Sequence, residues 1–108
     1  MHTNPAVTAV AVAMATIGTG AQAADPDVGL ELAQDYCVRC HDITPAGAFK
    51  TFPPSFASIA AFRDASQIEA RIWFQPLHST MPRGELFLSP QNVADLVAFI
   101  QSLERSGN

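Results

Sequence analysis

Two cysteines separated by two residues and followed at once by a histidine, Cys37-Val38-Arg39-Cys40-His41, constrain this chain more than any other feature. This spacing is typical of sites where haem is covalently attached to protein. Each sulfur can add to one of the two haem vinyl groups, because a two-residue spacer on a helical turn brings both to one edge of the ring. The adjacent His41 can then supply an axial nitrogen to the iron. The motif predicts one haem per chain, bound through Cys37 and Cys40.

The same pair of cysteines is compatible with two other chemistries. Thiol–disulfide oxidoreductases carry a Cys-x-x-Cys pair after a strand, and zinc sites also use it. The segment before Cys37, residues 29–36, has a helical rather than a strand pattern. A zinc ion would have at best Cys37, Cys40, His41 and His78 as ligands, with the adjacent Cys40 and His41 in a strained arrangement. Haem is therefore the favoured interpretation, with thiol exchange and zinc as alternatives.

The first 23 residues are typical of a secretory signal peptide. Residues 6–17 are apolar and uncharged, and Ala21-Gln22-Ala23 matches the small-x-small cleavage pattern. The first five residues contain no Lys or Arg, so an uncleaved anchor is the alternative. A membrane span, however, needs about 20 strongly apolar residues. We expect residues 1–23 to be cleaved and 24–108 to form a single periplasmic domain without a stable membrane anchor.

The charge of the chain argues against binding to nucleic acid. All six Lys and Arg and all ten acidic residues follow Ala23, so the mature chain keeps the net charge of −4. Nucleic-acid-binding domains are usually basic. The chain has two cysteines, and if both bind haem none is left for a disulfide.

The apolar pattern predicts an all-α protein with one short and three longer helices. The first helix begins near Asp27 and runs into Cys37, a short one covers residues 55–61, and a third covers residues 64–74. Ser89 and Pro90 suit the cap and first position of the last helix, which we expect to end near Glu104. Residues 43–54 and 77–88 are rich in proline and glycine and predict loops.

Met81 is the candidate for the second axial ligand of the iron. It is the one methionine that remains once Met1 and Met14 leave with the signal peptide, and it lies in a proline-containing loop. A thioether suits a low-spin iron, and Met/His ligation raises the reduction potential. His78 is the competing ligand, and Lys50 and the new N-terminal amine are more remote candidates. An empty sixth position would instead indicate a gas-binding sensor.

On these residues the chain resembles the class I monohaem cytochromes c, the small exported bacterial kind. The resemblance covers residues 27–103, and it includes the attachment motif and Met81-Pro82 in the position of the methionine ligand loop. It implies the small cytochrome c fold, packed around a covalent haem. Gly29 and Phe99 resemble the glycine and aromatic residue where the first and last helices of this family cross.

The resemblance also implies roles for two residues outside the motif. Pro54, in Pro54-Ser55-Phe56, resembles the proline whose carbonyl accepts a hydrogen bond from the haem-ligating histidine. Trp73 resembles a tryptophan that donates to a haem propionate in parts of the family, although a core position is the alternative. Arg39 and Arg83 flank the two ligand segments and are candidates to balance propionate charge.

These features predict a carrier of single electrons rather than an enzyme. An iron with two protein ligands has no open site for substrate, and the chain contains no convincing catalytic set. The alternatives are an electron-transfer subunit of an exported dehydrogenase, a gas-binding haem sensor if Met81 does not ligate, and a thiol–disulfide oxidoreductase. Its partners would be redox proteins such as a dehydrogenase, reductase or oxidase. The low lysine content suggests docking at the haem edge, with a basic partner surface as one option.

Overall fold

The computed structural model describes residues 1–2, 6–15, 23–49, 52–74 and 88–106. Within these ranges four helices and no strand are present: α1 (Pro26–Tyr36), α2 (Phe56–Phe62), α3 (Ala65–Trp73) and α4 (Pro90–Ser106). The all-α architecture expected from the sequence is confirmed. Met81 and His78, together with most of the second predicted loop, lie outside the described residues.

Each helix begins where a polar side chain can accept hydrogen bonds from free backbone amides. Asp25 caps α1, Ser55 caps α2 and Asp64 caps α3, where Gln67 completes a capping box. In α4 the Ser89 hydroxyl accepts from the Asn92 amide at 3.1 Å, and the Asn92 side-chain oxygen accepts from the Ser89 amide at 3.2 Å. These caps are the local reason that the helices begin where they do.

Most helix boundaries differ from the sequence expectation by one or two residues, and α2 covers Phe56–Phe62 rather than residues 55–61. Asp64 is the cap of α3 rather than its first helical residue, because its carboxylate accepts from the backbone amide of Gln67 at 2.9 Å. Helix α4 continues to Ser106, two residues beyond Glu104. Arg105 and Ser106 do not break helices, and the next helix-breaking residue in the sequence is Gly107.

The core is built on α4, which contacts the other three helices. The most extensive of these contacts is with α1, and Gly29 makes it possible. A Cβ at Gly29 would lie 2.6 Å from the backbone carbon of Asp95 and 2.7 Å from Cβ of Phe99, and it would overlap the Asp95 carbonyl oxygen. The expected close crossing of the first and last helices at Gly29 and Phe99 is therefore present. The buried core residues are Ala33, Phe56, Ala60, Ile68, Val93, Leu96, Val97, Phe99, Ile100 and Leu103.

Candidate haem site

The Cys-x-x-Cys-His motif forms a helix-like turn at the end of α1. Cys37 is the C-terminal cap of the helix, and its amide donates to the Ala33 carbonyl at 2.9 Å. The amides of Cys40 and His41 then donate to the Cys37 carbonyl at 3.1 and 2.9 Å. These bonds turn the chain back at once, so that the two sulfur-bearing residues and the imidazole follow one another around a single turn.

A loop holds the imidazole of His41 in one orientation. Nδ1 of His41 donates to the carbonyl oxygen of Pro54 at 2.6 Å. A carbonyl can only accept, so this bond assigns the ring proton to Nδ1 and leaves the lone pair on Nε2. Such a bond to a backbone carbonyl is the usual way in which a metal-binding histidine is oriented. The hydrogen bond expected between His41 and Pro54 is thus present.

The segment between His41 and α2 is folded so that Pro54 reaches the imidazole. The Phe56 amide donates to the Asp42 carbonyl at 2.8 Å, and the Asp42 carboxylate accepts from the Thr44 amide at 2.9 Å. A Cβ at Gly47 would lie only 2.9 Å from Cβ of the buried Ser55. Close packing of the loop against the start of α2 therefore depends on a glycine at this position.

A cavity of about 600 Å³ opens in front of His41 and Cys37. Its wall is mainly aromatic and aliphatic, with residues from α1, α2, α3 and α4 and from the intervening loops. The apolar lining residues are Tyr36, Phe49, Phe52, Pro54, Phe56, Ile59, Phe62, Ile68, Ile72, Leu88, Leu96 and Ile100. A cavity of this size and composition is suited to a large and mostly apolar ligand.

The groups around the cavity fit a covalently bound haem. Cys37 and His41 line it, and Cys40 lies exposed on the intervening turn. The lone pair on Nε2 of His41 would be available to ligate the iron of a bound haem. Among the described residues, no group of three or more His, Cys, Asp or Glu side chains is arranged to hold a metal ion. His78, the fourth residue of the zinc arrangement, lies outside the described residues.

The environment of Cys37 does not favour thiol–disulfide exchange. Burial raises the pKa of the Cys37 thiol from 9.0 to about 11. Exchange requires a thiolate, and reactive cysteines accordingly have lowered pKa values.

The remaining predicted residues lie in different surroundings. Pro54 lines the cavity, whereas Trp73 is 43% exposed and does not line it. Arg39 is exposed on the motif turn and is also absent from the cavity wall. Arg83, like Met81, falls outside the described part of the chain.

Polar residues of the cavity wall come from a part of the sequence not identified in advance. Arg63, Gln67 and Arg71 line the cavity. Gln67 and Arg71 lie four residues apart on α3, a spacing that places side chains on one helical face, whereas Arg63 is the C-terminal cap of α2. That spacing was the available signal, but its meaning depends on which face of α3 meets the cavity.

No helix within the described ranges is long and apolar enough to cross a membrane.

Residues 27–104 match the family model described as Cytochrome c. The chain is also 32% identical over 104 residues to "Cytochrome c-552" from Bradyrhizobium diazoefficiens, covering 95% of this chain and 98% of the relative. No solved structure gave a significant match.

Proposed function

Because the chain belongs to the cytochrome c family and carries electrons as a c-type cytochrome, we propose that it does so in the periplasm through one His/Met-ligated haem c. The observation that carries this proposal is the hydrogen bond from Nδ1 of His41 to the Pro54 carbonyl at 2.6 Å. It leaves Nε2 as the ring nitrogen with a free lone pair, in a residue that lines a large apolar cavity.

The proposal assigns a separate role to each residue of the motif. Cys37 and Cys40 would hold the haem as thioethers, and His41 would ligate its iron. When bound, haem c supplies an iron that gains or loses a single electron. The chain's own contribution is to fix the His41 ring through the Pro54 carbonyl, which also raises the basicity of Nε2.

We assign the second axial position to Met81. A thioether ligand favours a higher reduction potential than a second imidazole would. Two protein ligands would leave no open position for a substrate or a gas, so this assignment separates an electron carrier from a sensor. His78 is the competing residue, three positions earlier in the chain.

The cavity wall would exclude water from most of the haem and balance the charge of its propionates. The aromatic side chains of Phe49, Phe56 and Phe62 supply apolar surface. The rings of Phe49 and Phe62 pack edge to face, with their centroids 5.8 Å apart. Arg63 and Arg71 are cationic residues on the described part of the wall. We propose that they pair with propionate carboxylates, and that Trp73 supplies a further hydrogen-bond donor.

Export and partner binding complete the proposal. We propose that residues 1–23 are removed after Ala23 and that the mature domain acts in the periplasm, where redox proteins are its partners. The net charge of −4 favours a partner with a basic docking surface. Screening of that attraction by salt would slow electron transfer between the two proteins.

The ligand assignment is tested by absorption spectroscopy of the exported, haem-loaded protein. We expect a low-spin reduced spectrum that carbon monoxide does not change, and an oxidised near-infrared band from iron–sulfur ligation. Met81→Ala should abolish that band and allow carbon monoxide to bind, whereas the matched variant His78→Ala should behave as the parent protein.

Other outcomes point to a different protein function. Carbon monoxide binding by the parent protein would indicate a ligand sensor. Loss of the parent spectrum in His78→Ala, with Met81→Ala unchanged, would assign the ligand to His78. A mature protein without haem would indicate a thiol–disulfide oxidoreductase.

A further inference from the structure

Asp95 on α4 is a buried carboxylate that accepts hydrogen bonds from neutral donors. Its side chain is only 4% exposed. One oxygen, Oδ1, accepts from the backbone amide of Asp25 at 2.8 Å and from the side-chain amide of Gln91 at 3.0 Å. Among the described residues, Asp95 forms no ion pair, and Oδ2 accepts no hydrogen bond. Buried charges are costly and are normally paired, so a compensating cation is expected close by.

The chain just before α1 lies beside this carboxylate. Ala24 lines a shallow cavity of about 260 Å³ with Glu69 of α3 and residues of α4 that include Pro90 and Ala94. The nitrogen of Ala24 is three covalent bonds from the Asp25 nitrogen, which places the two atoms at most about 4 Å apart. With the 2.8 Å hydrogen bond, the Ala24 nitrogen therefore lies within about 7 Å of Oδ1 of Asp95.

In the part of the chain that the structure describes, the other charged groups near Ala24 are also acidic. Asp25 and Asp27 belong to the start of α1, Glu69 lies on α3, and Asp95 lies on α4. Within the described residues no Lys or Arg side chain lines this shallow cavity. A positive charge placed at Ala24 would thus be attracted from each of the three helices that surround it.

We infer that Asp95 is the binding site for the α-ammonium group that is created at Ala24 when residues 1–23 are removed. This inference rests on the cleavage site proposed above. Water hydrolyses the Ala23–Ala24 peptide bond, its oxygen stays on the new Ala23 carboxylate, and the freed Ala24 amine takes up a proton. The resulting ammonium is close enough to Asp95 for a charge pair that the precursor, with an uncharged amide at this position, cannot form.

The consequence is that processing itself stabilises the mature fold. An ion pair between the Ala24 ammonium and Asp95 would join the start of α1 to α4, in addition to the hydrogen bond from the Asp25 amide to Asp95. An amine that gains a negative partner has a raised pKa in the folded state. The stabilisation is therefore complete below the ordinary amine pKa and is lost as pH rises through the raised value.

The test uses the exported, haem-loaded protein in four forms. One begins at Ala24, and a second has Gly-Ser inserted before Ala24, which moves the ammonium away. Each is made with Asp95 and with Asp95→Asn, behind a signal peptide of known cleavage. Asp35→Asn, which removes an exposed acid at the other end of α1, is the matched control. Thermal unfolding and a ¹⁵N NMR titration of the α-amino group are measured for each form.

We expect the Gly-Ser insertion to lower the unfolding midpoint with Asp95 and to have less than half that effect in Asp95→Asn. In the protein that begins at Ala24, the α-amino pKa should lie about one unit above the ordinary 7.7–8.0. It should return to that range in Asp95→Asn and stay raised in Asp35→Asn. An equal effect of the insertion in both backgrounds, together with an ordinary amine pKa, would overturn the inference.

Intact mass of the naturally exported protein tests the cleavage site separately. A chain that begins at a residue other than Ala24 would overturn the site as a feature of the mature protein. That result would leave the proposed electron carrier intact, because the absorption spectrum tests it independently. Conversely, a carbon-monoxide-binding spectrum would refute the carrier and leave the Asp95 measurements valid.

Discussion

At the scale of single residues, the hydrogen bond between His41 and Pro54 determines the chemistry of the site. It assigns the Nδ1 proton and so selects Nε2 as the nitrogen available to a metal. Pro54 is well suited as the acceptor because its fixed φ angle limits movement of the backbone that carries the carbonyl. The tilted contact of the His41 ring with Phe56, with centroids 5.2 Å apart, restricts the imidazole from a second side.

Replacing Pro54 with glycine should weaken this hydrogen bond. Pro54→Gly keeps the carbonyl but frees its backbone, so His41 becomes a less basic ligand and the reduced iron is favoured. If the free energy of the reduced protein falls by about 0.5 kcal/mol relative to the oxidised protein, the midpoint potential rises by about 20 mV for one electron. Spectroelectrochemical titration measures this change.

Pro45→Gly is the control for that potential. Pro45 lies exposed in the same loop and does not line the cavity. Pro45→Gly should leave the midpoint potential unchanged, although it makes the loop about as much more flexible as Pro54→Gly does. An equal rise in both variants would show that loop flexibility, and not the His41 hydrogen bond, sets the potential.

At the scale of secondary structure, the crossing of α1 with α4 is the contact that organises the fold. Gly29 allows the α1 backbone to approach Asp95 and Phe99 more closely than a side chain would permit. Because Cys37 is the residue that caps α1, this contact also fixes the position of the Cys-x-x-Cys-His turn.

Gly29→Ala should destabilise the protein by about 2 kcal/mol. Alanine favours helix by about 1 kcal/mol over glycine, but overpacking a close contact costs about 1–3 kcal/mol, and here the opposing atoms include rigid backbone. Thermal unfolding should show a midpoint lowered by about 10 °C. Gln34→Ala, on the exposed side of α1, should change stability by less than about 0.5 kcal/mol. An unchanged midpoint in Gly29→Ala would refute the close crossing.

The reciprocal cap of α4 gives a second prediction for a helix. Ser89→Ala removes the acceptor for the Asn92 amide and should cost about 1 kcal/mol. Chemical denaturation of the haem-loaded protein measures this loss. Asn92→Asp is the matched variant, because it keeps an oxygen for the Ser89 amide and adds a negative charge that the start of a helix favours. Asn92→Asp should be at least as stable as the parent protein. A loss of stability equal to that of Ser89→Ala would show that an acidic side chain at this position does not cap α4.

At the scale of the whole molecule, a large apolar cavity lies among the four helices. Small domains bury a limited share of their surface and often need a metal, a cofactor or a disulfide for stability. Three phenylalanines that line the cavity, Phe49, Phe52 and Phe62, are each more than 70% exposed. Their burial would require a ligand in the cavity, so we expect haem attachment and folding to be coupled.

Removing both cysteines should therefore abolish haem attachment and the stable fold together. Cys37→Ser combined with Cys40→Ser should give no haem-staining band on a denaturing gel and should lose cooperative thermal unfolding in circular dichroism. Arg39→Ala, within the same motif, keeps both sulfurs and should retain haem and fold. A full covalent haem content in the double variant would refute the attachment site.

The sequence alone determined the features that depend on neighbouring residues. Helix periods and capping residues indicated four helices, and the spacing within residues 37–41 indicated the attachment chemistry, because both are properties of one or two turns of chain. The hydrogen bond of Pro54 and the packing of Gly29 were expected from a family resemblance and not from any local pattern.

Tertiary structure decided which distant groups meet. Arg63 and Arg71 had no recognisable role until the packing of α2 and α3 placed them on the cavity wall. Trp73, the last residue of α3, does not line that wall. Asp95 resembles any polar residue of an amphipathic helix until the α1–α4 crossing buries it beside Asp25, 70 positions earlier in the chain. Burial and long-range pairing depend on the whole chain, so no local window of sequence contains them.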